Sequence, residues 1–479
     1  MINSQSRGLT PKPRVLTSIQ LDLFSPVRLY REPTISAADG SELPVRQIQP
    51  GDVVLTLDEE TYTLEPKKVR GVIAVDLKEN VTLKTSGRSL TCPPLQQVLA
   101  NNKWVTAKNL KVGDLVAVSK RLNFGRHRLP DHEIDLLSIW LAEGAGYQIT
   151  NQTPEIIRVM TKAASHLGLV PAAKDGLQWT FFNGDRTGGP QAGTKNPLRR
   201  MLEGHGLWRC NSKTKFVPPI VFRLEEDQIS RFLNLFMACD GCVNRRSKNT
   251  WAIEIGLANE LLVRQLAKLF HKYGIRGQIS HKVHRAVSRR DGEPFQSWRF
   301  ITSDPGCIES FASRIGALSK ESQTANARSA AARSRGNCNA YLPISHDDFI
   351  KHLVYTPVSK GKFGGYNCVV SRDLPPMLRE SLNTWRKQTR YRTSMRRYNS
   401  LRQFTDGFFA HLVDRDVAWE EITAVETAGP VTMTRLSIQD GRCYIADGVF
   451  TRRPSIESRR IGSFANGGDH RGFQWDLSF

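Results

Sequence analysis

The 479-residue chain carries 68 Lys plus Arg against 46 Asp plus Glu, a net charge of +22, with 39% hydrophobic and 24% charged residues. That composition excludes disorder throughout, and apolar runs as short as Phe232–Cys239 exclude a spanning helix of about 20 residues. The excess of positive charge points to a polyanion, nucleic acid first. The polar start MINSQSRGLTPKPR has no signal-peptide pattern. The eight scattered cysteines do not form a disulfide framework, which fits an intracellular setting. The expected place is the cytoplasm or nucleoid of a bacterial or phage-infected cell, or a nucleus. Cys239 and Cys242 form a CxxC, but no second pair follows at zinc-ligand spacing.

After a tail over 1–27, residues 28–122 read as short β-strands: PVRQI, VVLTL, VRGVIAVD, NVTLKT and DLVAV, separated by Gly, Asp, Asn and Pro. Two Gly-Asp turns, Gly51-Asp52 and Gly113-Asp114, each precede a Val/Leu run. Helices and strands follow in two similar passes, 123–222 and 223–325, which suggests an internal repeat of about one hundred residues. Residues 326–415 are expected to be helical and basic; RKQTRYRTSMRRYNSLR at 386–402 has seven basic and no acidic side chains. Its tyrosines, Tyr391 and Tyr398, suit base stacking and its arginines Arg392, Arg396 and Arg397 suit backbone contacts. Strand-like sequence returns over 416–453, and 454–479 is a polar tail.

Each pass opens with an apolar helix that ends in acid-Gly: EIDLLSIWLAEGAGY at 133–147 and DQISRFLNLFMACDGCV at 227–243. A helix C-terminus carries partial negative charge, so Glu143 and Asp240 stand where a carboxylate is disfavoured by several tenths of a kcal/mol. A divalent cation reverses that penalty, and oxygen-ligated Mg²⁺ favours carboxylates. The small residues Ser138, Ala142 and Ala238 let two helices approach closely, which would set the acids side by side.

These helices resemble the two dodecapeptide motifs of LAGLIDADG (DOD-type) homing endonucleases. The resemblance implies two pseudo-symmetric αββαββα halves whose motif helices form their interface. It also implies a monomer that cuts both strands of double-stranded DNA with Mg²⁺ or Mn²⁺. Glu143 and Asp240 match the family's metal-binding acids. The stretch KTKFVPPIV at 213–221 resembles its Lys-x-x-Pro block, which makes Lys215 the lysine near the scissile phosphates. The second motif departs from the pattern at Leu235 and Ala238. Metal-assisted hydrolysis explains the set, since a cation polarises the phosphoryl group and activates water. Strands in the major groove would read base edges: Gln148, Asn151 and Gln152 in the first half, and Arg245, Arg246, Lys248, Lys282, Arg285, Arg289 and Arg290 in the second.

The flanking β-sequences resemble the two pieces of a Hint (hedgehog/intein) domain: ADGSELPVRQIQPGDVVLTLDEE (38–60), LTCPPLQQVL (90–99), KWVTAKNLKVGDLVAV (103–118), WEEITAVETAG (419–429) and LSIQDGRCYIADGVFTRR (436–453). The implied fold is α+β, two LAGLIDADG halves inserted into an all-β Hint domain. The splicing chemistry is missing. The expected first nucleophile is Arg28, the histidine of a Thr-x-x-His block is Pro94, an Asp position holds Arg435, and the final His-Asn pair reads Arg452-Arg453. Arginine stays protonated near neutrality, so it is neither nucleophile nor base. Clustered with Arg442, these arginines would instead suit DNA phosphates. The expected activity is therefore site-specific, metal-dependent double-strand cleavage of a long DNA target. The alternatives are a self-splicing intein and a cleavage-inactive nucleic-acid-binding relic or maturase.

Overall fold

The structure, a computed structural model, describes residues 33–334 except 78, 175, 184–195, 249 and 288–293. It also describes short pieces between 341 and 405, and residues 407–452 except 430, 440 and 442. Both tails lie outside the described residues, as do Arg28, Arg289, Arg290, Tyr391, Arg392, Arg396, Arg397, Arg442 and Arg453. The side chains of Arg285 and Arg435 do as well.

Sequence from both ends of the chain builds one set of β-sheets. Val417–Glu421 pairs with Leu115–Ser119, Ala424–Ala428 with Asn80–Lys84, and Val431–Ile438 with Leu64–Leu77, all antiparallel. Cys443–Ala446 and Val449–Arg452 complete an eight-stranded sheet with Thr34–Ser36 and Gln97–Ala100. β-Branched and leucine side chains such as Val98, Val116, Val118, Ile422 and Leu436 fill its interior. Both Gly-Asp turns adopt one geometry. Gly51 and Gly113 have φ of +97° and +98°, which glycine tolerates without strain. The carboxylates of Asp52 and Asp114 each accept a backbone N–H three residues upstream, from Gln49 and Lys111, at 2.8 Å.

The middle of the chain is mixed helix and sheet. In the first pass, helix α1 (Asp131–Glu143) leads to a four-stranded antiparallel sheet crossed by α2 (Pro154–His166) and closed by α3 (Pro197–Gly204). In the second, α4 (Glu226–Cys239) leads to a four-stranded sheet with α5 (Glu260–Lys272) and then α6 (Pro305–Arg314). Taken along the chain, both sheets run in the order first, second, fourth, third strand. One apolar core, with Leu137, Trp140, Phe232, Phe236 and Phe270, spans both passes. A boundary at 325 falls inside helix α7 (Glu321–Arg333), which packs on α6 and on the second sheet.

One expectation for the basic region needs correction. Tyr398 is 3% exposed and packs in a core with Phe349, Leu378, Phe409 and Trp419, so its ring is not offered to a base. Within 326–415 the described residues form the end of helix α7, short helical turns and a two-residue strand pair, Tyr341–Leu342 with Thr393–Ser394; most of 386–402 lies outside the described residues.

Candidate functional site

Helices α1 and α4 pack against each other along their lengths. Ser138, fully buried, donates its hydroxyl to the Phe232 carbonyl at 2.6 Å. A side chain reaching the neighbouring backbone requires close approach, which its small volume permits. At the N-terminal ends, Gln228 exchanges two hydrogen bonds with the Leu129 backbone, at 2.6 and 3.0 Å. The guanidinium of Arg231 forks onto Asp135 at 2.5 and 2.7 Å. The pair is therefore in fixed register, and its C-terminal ends meet.

Glu143 is the last residue of α1 and Asp240 caps α4. The glycine after each acid is required by space. A Cβ on Gly144 would lie 2.3 Å from the Trp140 ring, and one on Gly241 would lie 2.4 Å from the Met237 sulfur. Each chain can thus turn from helix into the first strand of its sheet only at glycine. Burial and the facing Glu143 charge push the Asp240 carboxyl up to about 6. Burial also raises Glu143, against the pull of Lys215, Lys320 and a hydrogen bond from Asn151.

Lys215 is 4% exposed. Its Nζ donates to the Trp140 and Leu141 carbonyls at 3.0 and 2.9 Å and sits 4.8 Å from the Trp140 ring centre. Burial lowers its ammonium to about 8, opposed by Asp240 and Glu143. The loop that carries it is pinned by α5, through Asn259 Nδ2 to the Lys215 carbonyl and Gln265 Oε1 to the Val217 N–H.

A second lysine, missed in the sequence, occupies the matching place. Lys320 Nζ donates to the Met237 carbonyl in the last turn of α4 and to the Gly241 carbonyl at the start of the next strand, at 2.7 and 2.6 Å. Burial lowers its ammonium too, and Asn234 holds its loop through Ile315 and Leu318. The signal was present: both lysines follow a helix closed by a glycine of positive φ, Gly206 and Gly316. Only the first lysine has a proline-rich block beside it.

Two carboxylates at helix ends suit a divalent cation. Among the described residues no group of three or more His, Cys, Asp and Glu forms a complete cage. Mg²⁺ commonly takes one or two carboxylates and completes its shell with water and substrate phosphates. Two half-buried acids, with the Glu143 charge raising Asp240, have the chemistry such an ion takes.

The expected base-reading residues separate. Gln148 accepts from Gln178 Nε2 at 2.9 Å on the open face of the first sheet, and Gln152 is exposed. Asn151 is not on that face: it is buried, accepts from the Thr153 N–H at 2.8 Å and bonds Glu143. Its side chain meets the acid instead of solvent. Arg246, Lys248 and Lys282 are exposed, and Arg245 folds back onto Ser247 and Lys248 carbonyls at 3.2 and 3.1 Å. Arg452, one of the two former splicing positions whose side chains are described, lies 4.5 Å over the Trp104 ring. It bonds Gln97 at 2.6 Å and Glu59 at 3.2 Å, so this guanidinium is already engaged by side chains of the β-unit. Pro94 is half-buried, and its carbonyl accepts from the Lys108 N–H at 3.0 Å.

Residues 227–316 match the family of LAGLIDADG-like domains. Across 291 residues the chain is 25% identical to the replicative DNA helicase DnaB of Rhodothermus marinus, covering 57% of this chain and 30% of that protein. Across 283 residues it is 25% identical to the DnaB of Synechocystis sp., covering 56% and 32%. The chain thus spans about a third of the length of these curated relatives. Among solved structures, a DnaB intein from Synechocystis is similar over 19% of this chain and 66% of its own, at 22% identity and a TM-score of 0.18. An Ssp DnaB mini-intein variant is similar over 19% and 60%, at 25% identity and a TM-score of 0.19. Among the described residues no helix is long and apolar enough to cross a membrane.

Proposed function

We propose that this chain, which carries a LAGLIDADG-like domain between two parts of an intein-like β-unit, is a homing endonuclease. It would make metal-dependent double-strand breaks in a long DNA site and would no longer splice. The observation that carries the reading is the pair of matching helix ends, each with a half-buried acid, an obligatory glycine and a lysine bonded to backbone carbonyls beside the acid. The equal strand order of the two sheets supports two pseudo-symmetric αββαββα halves in one monomer, one half per DNA half-site.

Glu143 and Asp240 would hold Mg²⁺ or Mn²⁺, which supplies Lewis-acid activation of the phosphodiester and of water. The chain's own residues do the rest. Asn151 keeps Glu143 oriented. Lys215 and Lys320, tied to rigid helix ends, present ammonium protons at the rim of the acid pair. There they stabilise charge that develops on the phosphoryl oxygens. An ammonium held near pH 8 can also give up and regain a proton close to working pH, so Lys215 suits positioning and partial deprotonation of the attacking water. The open faces of the two sheets would lie along the grooves. The β-unit lacks splicing groups at Pro94 and Arg452, and Arg28, Arg435 and Arg453 occupy the other positions.

The test is cleavage of a plasmid pool carrying candidate insertion sites, in Mg²⁺, by wild type and Glu143→Gln. Defined double-strand ends from wild type alone support the proposal; ends from neither protein, with tight binding by both, would favour a cleavage-inactive relic.

A further inference from the structure

The second sheet buries one face and opens the other. Ile253, Ile255 and Phe300 point into the core, so Glu254 and Arg299, which alternate with them, stand on the open face. Arg246 joins them from the adjacent strand, where Cys242 faces Glu254. On the other side Gly256 faces Arg299 and leaves room for its side chain. One carboxylate oxygen of Glu254 pairs with Arg246 Nη2, and the other lies 3.6 Å from Arg299 Nη1. The carboxylate is 19% exposed, whereas the two arginines are 40% and 45% exposed. An acid therefore lies between two cations that reach further into solvent.

That placement is unfavourable for simple phosphate binding, because a carboxylate on a basic face repels the DNA backbone. It makes sense if the two guanidiniums must be held still. Each has five N–H donors, and one contact to Glu254 leaves the fork able to bond the O6 and N7 of guanine in the major groove. The equivalent face of the first sheet is built differently, from Gln148, Thr150, Gln178 and Thr180 in facing pairs.

We propose that Glu254 is a specificity-determining residue of the second half-site: it fixes Arg246 and Arg299 for base reading and penalises binding through phosphates alone. The inference rests on the DNA-cleaving reading above. Pre-organising two long side chains lowers the entropy lost on binding, and losing a good bidentate contact reduces discrimination about tenfold.

The test uses the full chain on its cleaved target and on a panel of single base-pair changes across that site, at two salt concentrations. Glu254→Gln should bind random duplex more tightly. It should also lose about tenfold in discrimination at one or two adjacent base pairs of one half-site, with the other half-site unchanged. Glu254→Asp should recover part of that loss. A discrimination profile that matches wild type at every position, with only a uniform change in affinity or stability, overturns the proposal while leaving the endonuclease intact. A wild type with no sequence preference overturns both.

Discussion

Lys215 and Lys320 stand in similar relation to two different helices: Lys215 donates to the Trp140 and Leu141 carbonyls in the last turn of α1, and Lys320 to the Met237 carbonyl in the last turn of α4 and the Gly241 carbonyl just beyond it. Each charge faces the partial negative end of its helix dipole, so the lysines offset some of the penalty carried by Glu143 and Asp240. Under the proposed function each lysine would serve one side of the centre, although only one lysine is marked by a proline-rich block.

If each lysine serves one side, Lys215→Met and Lys320→Met should each slow cleavage by about 10²–10⁴ while binding stays within a few-fold. Supercoiled plasmid should pass through a long-lived nicked form with either variant. Single-turnover gel kinetics read this directly, and linearisation at the wild-type rate by the Lys320 variant would remove it from the mechanism.

Ser138 sets how near α1 and α4 can come. Replacement by Ala keeps the volume and loses the bond to Phe232, so stability should fall by about 1 kcal/mol. Replacement by Leu forces the helices apart and should cost about 1–3 kcal/mol, with a further loss of cleavage because the acids separate. Urea unfolding with both variants ranks them. A Leu variant as stable as the Ala variant would mean that the interface tolerates a wider spacing.

Much of this was legible in the chain. Alternating β-branched runs gave the two-part β-unit, and the repeated apolar helix ending in acid-Gly located Glu143 and Asp240. The close packing at Ser138 followed from side-chain size. What was not legible depended on tertiary neighbours. Asn151 looks like a base reader in GYQITNQ, yet the turn after its strand directs it back to Glu143. Tyr398 sits among arginines in sequence but inside a core in space, because contacts from Phe349 and Trp419 decide its burial. Lys320 lies in ALSKES, which shares with Lys215 only the preceding helix closed by glycine and lacks its proline-rich block.

The β-unit packs directly on the second four-stranded sheet. The Ile279 N–H, at the start of a strand of the second sheet, donates to the Ser86 carbonyl at 2.9 Å. A Cβ on Gly87 would lie 2.3 Å from the Gly277 carbonyl oxygen. Gly87→Ala should therefore push the two apart and lower stability by about 1–3 kcal/mol. A faster rate of limited proteolysis near residue 280 would accompany it. Unchanged unfolding and proteolysis would mean that the contact is dispensable.

Lys272 is buried at the same junction, bonded to the Gly40 and Asn123 carbonyls, and burial lowers its ammonium to about 8. In the unfolded chain it keeps its proton to about pH 10.4. Between pH 8 and 10 the unfolded state therefore binds more protons, and stability should rise with pH. Below 8 both states are charged and the full burial penalty applies. One group contributes about 2–3 kcal/mol across that window, and Lys215 adds in the same sense. Lys272→Met should flatten the rise by one proton's worth in denaturant titrations at several pH values. A variant slope as steep as wild type would place the titration elsewhere.

The most direct measurement is single-turnover cleavage of the identified duplex by wild type and Asp240→Asn, in Mg²⁺ and in EDTA. If Glu143 and Asp240 form one metal-dependent centre, wild type should linearise the site only in Mg²⁺. The variant should bind the same duplex with comparable affinity and fail to make double-strand ends. Cleavage by Asp240→Asn at the wild-type rate, or by wild type in EDTA, would contradict it.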